Sequence, residues 1–234
     1  MTSTQPKNRF SLPSLPPPAA CPLSAVFCLL LLLCAPAHPQ DLAGAISGLQ
    51  RRYASAETVS GNFQQTYRAP GIDQAQSGVF WLKKPGLMRW EYRSPEEQLF
   101  VADGRESFLY VPRDRQVTVQ PLTASDLRRT PLEFLMGAGD IPKSFVSAWD
   151  TEFTPKADRT VLIRLTPRAK DPAYLFLVLE LDQTTFDLRR IVVREPTGNT
   201  MEFLLSGVAI NRKLEPKLFK FEPPKGTEIM RLDE

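Results

Sequence analysis

Short β-rich segments separated by turn signals fill most of the chain, and they limit its possible folds more than any other feature. In the first half the predicted strands are residues 59–67, 78–84, 87–93, 98–102, 107–111 and 116–120. In the second half they are residues 160–166, 174–181, 188–194, 199–206 and 219–221. Pro-Gly, Ser-Pro and Asp-Gly pairs divide the strands of the first half, and a spacing near ten residues with short turns is typical of an antiparallel meander. The pattern therefore predicts a mainly β fold.

Two stretches have helical rather than β periodicity. Leu42, Ile46, Leu49 and Tyr53 recur at the spacing of one helix face, and Asp41 is placed to cap the first turn. A second helical region is predicted near residues 125–136, ending at a Gly-Ala-Gly sequence, and residues 145–149 are predicted to be irregular. Helices added to a meander give a mainly β protein of the α+β class.

One predicted strand is apolar along both of its faces. Residues 174–179 read Tyr-Leu-Phe-Leu-Val-Leu, whereas a strand with one wet face would alternate with polar residues. Both sides of this strand must be covered, or one side must line a cavity. A curved sheet with few helices can enclose an apolar pocket with the helices as its lid, and an ordinary solid β core is the alternative.

The N-terminus has the pattern of an export signal. The apolar run at residues 25–34 is much shorter than the ~20 residues of a membrane-spanning helix. Residues 35–37, Ala-Pro-Ala, match a signal-peptidase site, so we expect residues 1–37 to be a signal peptide and 38–234 a single domain. An uncleaved anchor is one alternative. A lipoprotein signal acylated at Cys34 is another, although Leu33 is larger than the small residue such a signal places there.

The amino-acid composition excludes several common kinds of catalytic site. The chain has one histidine, His38, and its three cysteines all lie in the first 34 residues. A Ser-His-Asp or Cys-His site and a Cys/His zinc site therefore cannot be built, and no nucleotide-binding or metalloprotease motif is present. The net charge of +3 is too balanced to indicate nucleic acid as a partner. Residues 128–129 and 189–190, both Arg-Arg, are expected on element exteriors.

Several segments, in order, are similar to a known family. They are residues 59–65 (VSGNFQQ), 78–92 (GVFWLKKPGLMRWEY), 94–95 with 99–104 (LFVADG) and 109–110, 130–135 (TPLEFL) and 219–226 (FKFEPPKG). These segments resemble the periplasmic outer-membrane lipoprotein carrier family LolA, and they extend over nearly the whole of residues 41–230. The resemblance implies an incomplete antiparallel β-barrel whose helical lid encloses an apolar cavity.

The resemblance also implies a function and its partners. The family's cavity receives the acyl chains of lipoproteins, which come from an inner-membrane lipoprotein-releasing ABC transporter and go to an outer-membrane lipoprotein receptor. We therefore expect a monomeric periplasmic carrier that is not an enzyme and holds neither cofactor nor metal. A lipid- or lipoprotein-sensing module of the same fold and a carrier of another lipid are the alternatives. The related sensors carry a further C-terminal domain, which we do not expect after Glu234.

Residues of the site follow from the same resemblance together with strand parity. Residues at alternate positions of a strand share a face. The residues that match cavity positions are Phe80, Leu82, Met88 and Trp90 on two strands, and Leu132 and Leu135 on the lid helix. Lys84 stands where the family usually has an arginine that hydrogen-bonds the lid in the closed state, so it is the predicted lid latch. The alternatives are plain core residues and a solvated turn lysine.

Overall fold

The computed structural model describes residues 1–2, 41–122, 135–136, 140–169 and 174–232. The chain divides into the units Met1–Pro39 and Gln40–Glu234, and every element described below belongs to the second unit. The expected signal peptide, the lid residue Leu132 and nearly all of the predicted second helix lie outside the described residues. Those expectations remain predictions.

The described elements are mostly strands. Helix α1 spans Leu42–Ala54 and a short helix α2 spans Ile141–Ser144. Two 3-10 helices span Pro112–Asp114 and Pro216–Phe219. The strands are β1 Thr58–Ala69, β2 Ile72–Lys83, β3 Leu87–Ser94, β4 Gln98–Asp103, β5 Glu106–Val111, β6 Gln116–Pro121, β7 Phe145–Trp149, β8 Thr160–Pro167, β9 Phe176–Asp182, β10 Leu188–Arg194, β11 Thr200–Ile210 and β12 Glu228–Arg231.

All twelve strands form one sheet in the order β12-β6-β5-β4-β3-β2-β1-β11-β10-β9-β8-β7. Neighbours are antiparallel except for β12, which runs parallel to β6. The two edge strands, β12 and β7, are not paired with each other in the described part of the chain, so the sheet is open. An open, mainly antiparallel sheet with a packed helix confirms the predicted fold class.

Two of the sequence expectations about elements were wrong, and one strand was missed. Residues 145–149 form an edge strand, β7, whose Val146 and Trp149 are exposed and so break the usual alternation. Residues 219–221 are not a strand: Phe219 ends a 3-10 helix, and the Phe221 ring packs 5.6 Å from the rings of Phe108 and Tyr110. Strand β12 was not predicted, because its side chains are all exposed and its pairing rests on the backbone.

Helix α1 is confirmed together with its N-cap. The Asp41 carboxylate accepts a hydrogen bond from the Gly44 N–H, which satisfies one of the free donors of the first turn. The predicted apolar face, including Ile46, Leu49 and Tyr53, is buried in the main core. A Cβ at Gly48 would lie 2.2 Å from the Phe186 ring, so this glycine permits the close approach of α1 to the turn between β9 and β10.

Strand β9 is buried on both faces, as its composition requires. Leu177, Leu179 and Leu181 belong to the main core, which α1 covers. Val178 points the other way, into a small second core with Leu162 and Val192, against which Phe153 and Phe176 pack. Both faces of β9 are therefore buried, and the lining of a ligand cavity by its inner face stays a prediction.

Candidate functional site

Strands β2 and β3 bring four of the predicted cavity residues together. Phe80 is the cross-strand partner of Trp90, and Leu82 is the partner of Met88. Their exposed fractions are 0% for Phe80 and Leu82, 2% for Met88 and 3% for Trp90, and all four belong to the main core. Strand parity therefore assigned the correct face of both strands. Whether this face lines a cavity for a ligand remains a prediction.

Aromatic rings meet on this face and form what we call the aromatic cluster: Phe63, Phe80, Trp90, Tyr92 and Phe203. The Phe80 and Trp90 rings stack with centroids 4.9 Å apart. Phe63 approaches the Trp90 and Tyr92 rings edge-on at 4.8 and 5.0 Å, and Phe203 lies 6.4 Å from Trp90. Rings at these distances and angles attract one another and hold each other in place.

Three members of the aromatic cluster are not among the predicted cavity residues: Tyr92, which shares its face of β3 with Trp90, and Phe63 and Phe203 on other strands. Phe63 lies on β1 and Phe203 on β11, which pair with each other in the centre of the sheet. The alternation of β1 places Phe63 on the same face as Val59, and that of β11 places Phe203 on the same face as Leu205. Parity applied to these strands, as it was to β2 and β3, would have found both.

Only one of the two predicted lid leucines can be placed. Leu135 is 0% exposed and belongs to the same core as the aromatic cluster, and the neighbouring Met136 packs against it. Leu132 lies outside the described residues. The structure thus brings Leu135 to the apolar face of the sheet.

Lys84 lies at the C-terminal end of α1. Its Nζ atom donates hydrogen bonds to the carbonyl oxygens of Tyr53, at 2.8 Å, and Ala54, at 3.0 Å. The last carbonyls of a helix have no partner within the helix, and a cation there also interacts favourably with the helix dipole. Burial lowers the pKa of the Lys84 ammonium below its usual value. The lysine is therefore a contact between the β2–β3 turn and α1 rather than a solvated turn residue.

Tyr53 fixes the same end of α1 to the other half of the sheet. Its hydroxyl oxygen accepts a hydrogen bond from the buried backbone N–H of Leu188, at 3.0 Å. Burial of the phenol raises the pKa of Tyr53 to about 12. Because the folded state favours the protonated phenol, this stabilisation is complete below pH 10, the ordinary tyrosine value, and is lost as the pH rises through about 12.

We expect Tyr53→Phe to lower the free energy of unfolding by about 1–3 kcal/mol at neutral pH, because the buried Leu188 N–H loses its acceptor. The variant should also lose less stability than the wild type between pH 10 and 12. Urea unfolding at a series of pH values measures both effects. Equal alkaline destabilisation of the two proteins would contradict the assignment to Tyr53.

The character of the inner face suits an apolar ligand. The buried charged side chains of the described residues, Glu180, Arg190 and Glu202, pair with one another beside the second core, on the opposite face of the sheet. Within the described ranges no three His, Cys, Asp or Glu side chains are grouped as metal ligands. In those ranges, too, no helix is long and apolar enough to cross a membrane.

An open antiparallel sheet, with an aromatic inner face and a capped helix packed on it, defines a class of β proteins built around one large apolar interior. A family model described as "Outer membrane lipoprotein carrier protein LolA" matches residues 54–222. The chain belongs to this family, which confirms the resemblance found in the sequence.

Individual proteins agree with the family match. An outer-membrane lipoprotein carrier protein of Nitrosospira multiformis is 32% identical over 207 residues, which cover 88% of this chain and 95% of the relative. One from Hahella chejuensis is 32% identical over 190 residues, covering 80% and 87%. An uncharacterized conserved protein from Thermus thermophilus has a solved structure with a TM-score of 0.51 at 11% identity, covering 81% of this chain and 98% of its own, which shows the shared fold alone.

Proposed function

We propose that this protein is a periplasmic carrier that takes up the acyl chains of lipoproteins released from the inner membrane and delivers them to the outer membrane. The observation that carries the proposal is the apolar inner face of the sheet, where the aromatic cluster, Leu82 and Met88 share one core with the buried face of α1. The relatives named as lipoprotein carriers, which align over most of the chain, support the same role.

The physical problem of such a carrier is the cost of leaving a membrane. Burial of an acyl chain stabilises by about 0.8 kcal/mol per CH₂, so a chain of about 16 carbons contributes roughly 12 kcal/mol. A carrier must offer replacement apolar surface of similar extent, and it must also release the chain. An interior closed by a helix that can move away as a unit meets both needs, because local opening costs less than global unfolding.

The proposal includes the partners and excludes catalysis. Acylated lipoproteins are the cargo, an inner-membrane lipoprotein-releasing ABC transporter is the donor and an outer-membrane lipoprotein receptor is the acceptor. The carrier acts as a monomer and catalyses no reaction. The pairing of the buried Glu180, Arg190 and Glu202 with one another supports this view, since it leaves none of them available as an acid or base at the apolar face.

Lys84 is the proposed latch, and Leu132 and Leu135 the proposed apolar lid. We expect Lys84→Met to raise the hydrogen-exchange rates of the α1 amides by about tenfold, because the helix loses two hydrogen bonds from a charged donor. Lys84→Arg keeps the charge and adds donors, so it is the matched control and should retain slow exchange. Unchanged exchange rates in Lys84→Met would contradict the proposal that Lys84 holds α1 in place.

Mass spectrometry of protein purified from the periplasm of cells that express the full chain tests the carrier role. We expect the mass of a mature chain that begins at residue 38. We also expect acylated lipoprotein to co-purify with it. A mature form that starts at Cys34 with attached lipid would contradict the signal peptide. Recovery of phospholipid without lipoprotein would favour a carrier of another lipid, and recovery of no acyl ligand by folded protein would contradict the carrier role.

A further inference from the structure

The indole N–H of Trp90 is a buried donor that the fold does not explain. Trp90 is 3% exposed, and its Nε1 atom is buried without a hydrogen-bond acceptor among the described residues. Buried polar groups are paired in the large majority of cases, so such a donor needs an explanation. Phenylalanine would give the same apolar face without this cost.

The position of the donor is fixed by its neighbours. Phe80 stacks on the indole with an interplanar angle of 16°, and Phe63 meets it edge-on at 4.8 Å. Phe203 approaches from a third side, on β11. The indole therefore cannot turn to bring its N–H to solvent without displacing other rings of the aromatic cluster. The N–H is held in one direction inside the apolar core.

From this geometry we propose that Trp90 Nε1–H donates a hydrogen bond to an acyl-ester carbonyl of the bound cargo and so sets the depth at which the acyl chain binds. The inference rests on the proposed function. We expect a neutral acceptor, because an unpaired carboxylate is costly in an apolar site. Lys84 would not pair with such a carboxylate, since its Nζ atom already donates to two carbonyls of α1. A carbonyl joined to a long hydrocarbon chain is the acceptor that fits an otherwise apolar surface.

The test compares two probes that differ only in the carbonyl. One is a cysteine lipopeptide with two palmitoyl ester chains, and the other is its dialkyl-ether analogue, in which each ester C=O is a CH₂. Affinities for both are measured with the wild type, Trp90→Phe and the control Trp81→Phe. Trp81 lies on β2 between Phe80 and Leu82, so its side chain belongs to the opposite face.

We expect Trp90→Phe to weaken binding of the ester probe about fivefold to tenfold more than binding of the ether probe, the value of one neutral hydrogen bond. Trp81→Phe should leave the ratio of the two affinities unchanged. Equal weakening of both probes by Trp90→Phe, or no weakening, would overturn the inference while leaving the carrier role intact. A wild type that binds neither probe would overturn both.

A second measurement on the wild type does not depend on the variant's folding. The indole ¹H–¹⁵N resonance of Trp90 should move downfield when the ester probe binds and should not do so with the ether probe. A second pair of probes, diester and diether phosphatidylethanolamine, distinguishes the two sources of the carbonyl: a shift with the diester lipid and none with the lipopeptide would assign it to free phospholipid cargo. An identical resonance with ester and ether probes would contradict the hydrogen bond.

Discussion

Replacement of Arg190 by methionine should lower the free energy of unfolding by about 3–5 kcal/mol, because it leaves the buried Glu180 carboxylate without its cation, whereas Glu202 keeps its ion pair with Lys156. Arg190 is 2% exposed, and its Nε atom lies 2.9 Å from the Glu180 Oε2 atom as an ion pair. Glu202 lies 3.8 Å from the same guanidinium. The Arg190 Nη2 also donates to the Thr154 carbonyl, so the pair fastens the segment that covers the second core.

Arg189→Met is the matched control for this prediction. Arg189 is the adjacent residue, but its side chain is 36% exposed and its ion pair with Asp182, at 3.4 Å, lies at the surface. Such pairs contribute at most about 1 kcal/mol, so this variant should unfold close to the wild type. Chemical denaturation of both variants at neutral pH measures the difference. Equal stability of the two variants would contradict a structural role for the buried pair.

The positions of most elements could be predicted because their causes are local. Turn residues separate the strands, and β3 to β6 and β8 to β11 lie within about two residues of the expected bounds at most of their ends. Helix α1 follows from one apolar stripe and the cap residue Asp41. Strands β7 and β12 could not be predicted in this way, because neither has a buried face with alternating residues and both are held by pairing with a neighbour.

The burial of Arg190 shows where local reasoning fails. The Arg-Arg pair at 189–190 was expected on a strand exterior, which is correct for Arg189 and wrong for Arg190. Arg190 does face away from the main core, but residues near 150–157 fold over that side and Glu180 neutralises the charge. An ion-pair or hydrogen-bond partner from another part of the chain leaves no periodic pattern around residue 190. Sequence reasoning therefore predicts that a charged side chain there is exposed.

The candidate site was predictable as a face and not as a cavity. Parity and the β2–β3 register fix Phe80, Leu82, Met88 and Trp90 on one side of the sheet, and a solid core and a ligand-binding interior would use the same side chains there. The difference lies in whether space and water can be admitted between the sheet and its helices. That property belongs to the packing of the whole molecule, and substitution of a buried residue can measure it.

Met88→Glu should weaken binding of an acyl-chain probe by more than about tenfold while the protein stays folded, because it puts an unpaired carboxylate on the apolar face. Met88 is 2% exposed, opposite Leu82 on β2 and Ala102 on β4, and methionine there adapts to chains of different shape. In a carrier the interior admits water around the new carboxylate. In a solid core the same change would cost several kcal/mol and unfold much of the population.

The pH dependence of Met88→Glu separates these outcomes from a general loss of structure. An apolar site raises the pKa of the new carboxyl above its ordinary value of about 4.3, so the variant should recover stability relative to the wild type below that pH and lose it as the pH rises. Met88→Leu, which has no polar atom, is the control and should keep both fold and binding. Thermal unfolding and probe binding are measured on one sample at each pH. A Met88→Glu protein that is stable and binds the probe as well as Met88→Leu would place residue 88 outside both the cavity and the core, and the assignment of this face by strand parity would then be wrong.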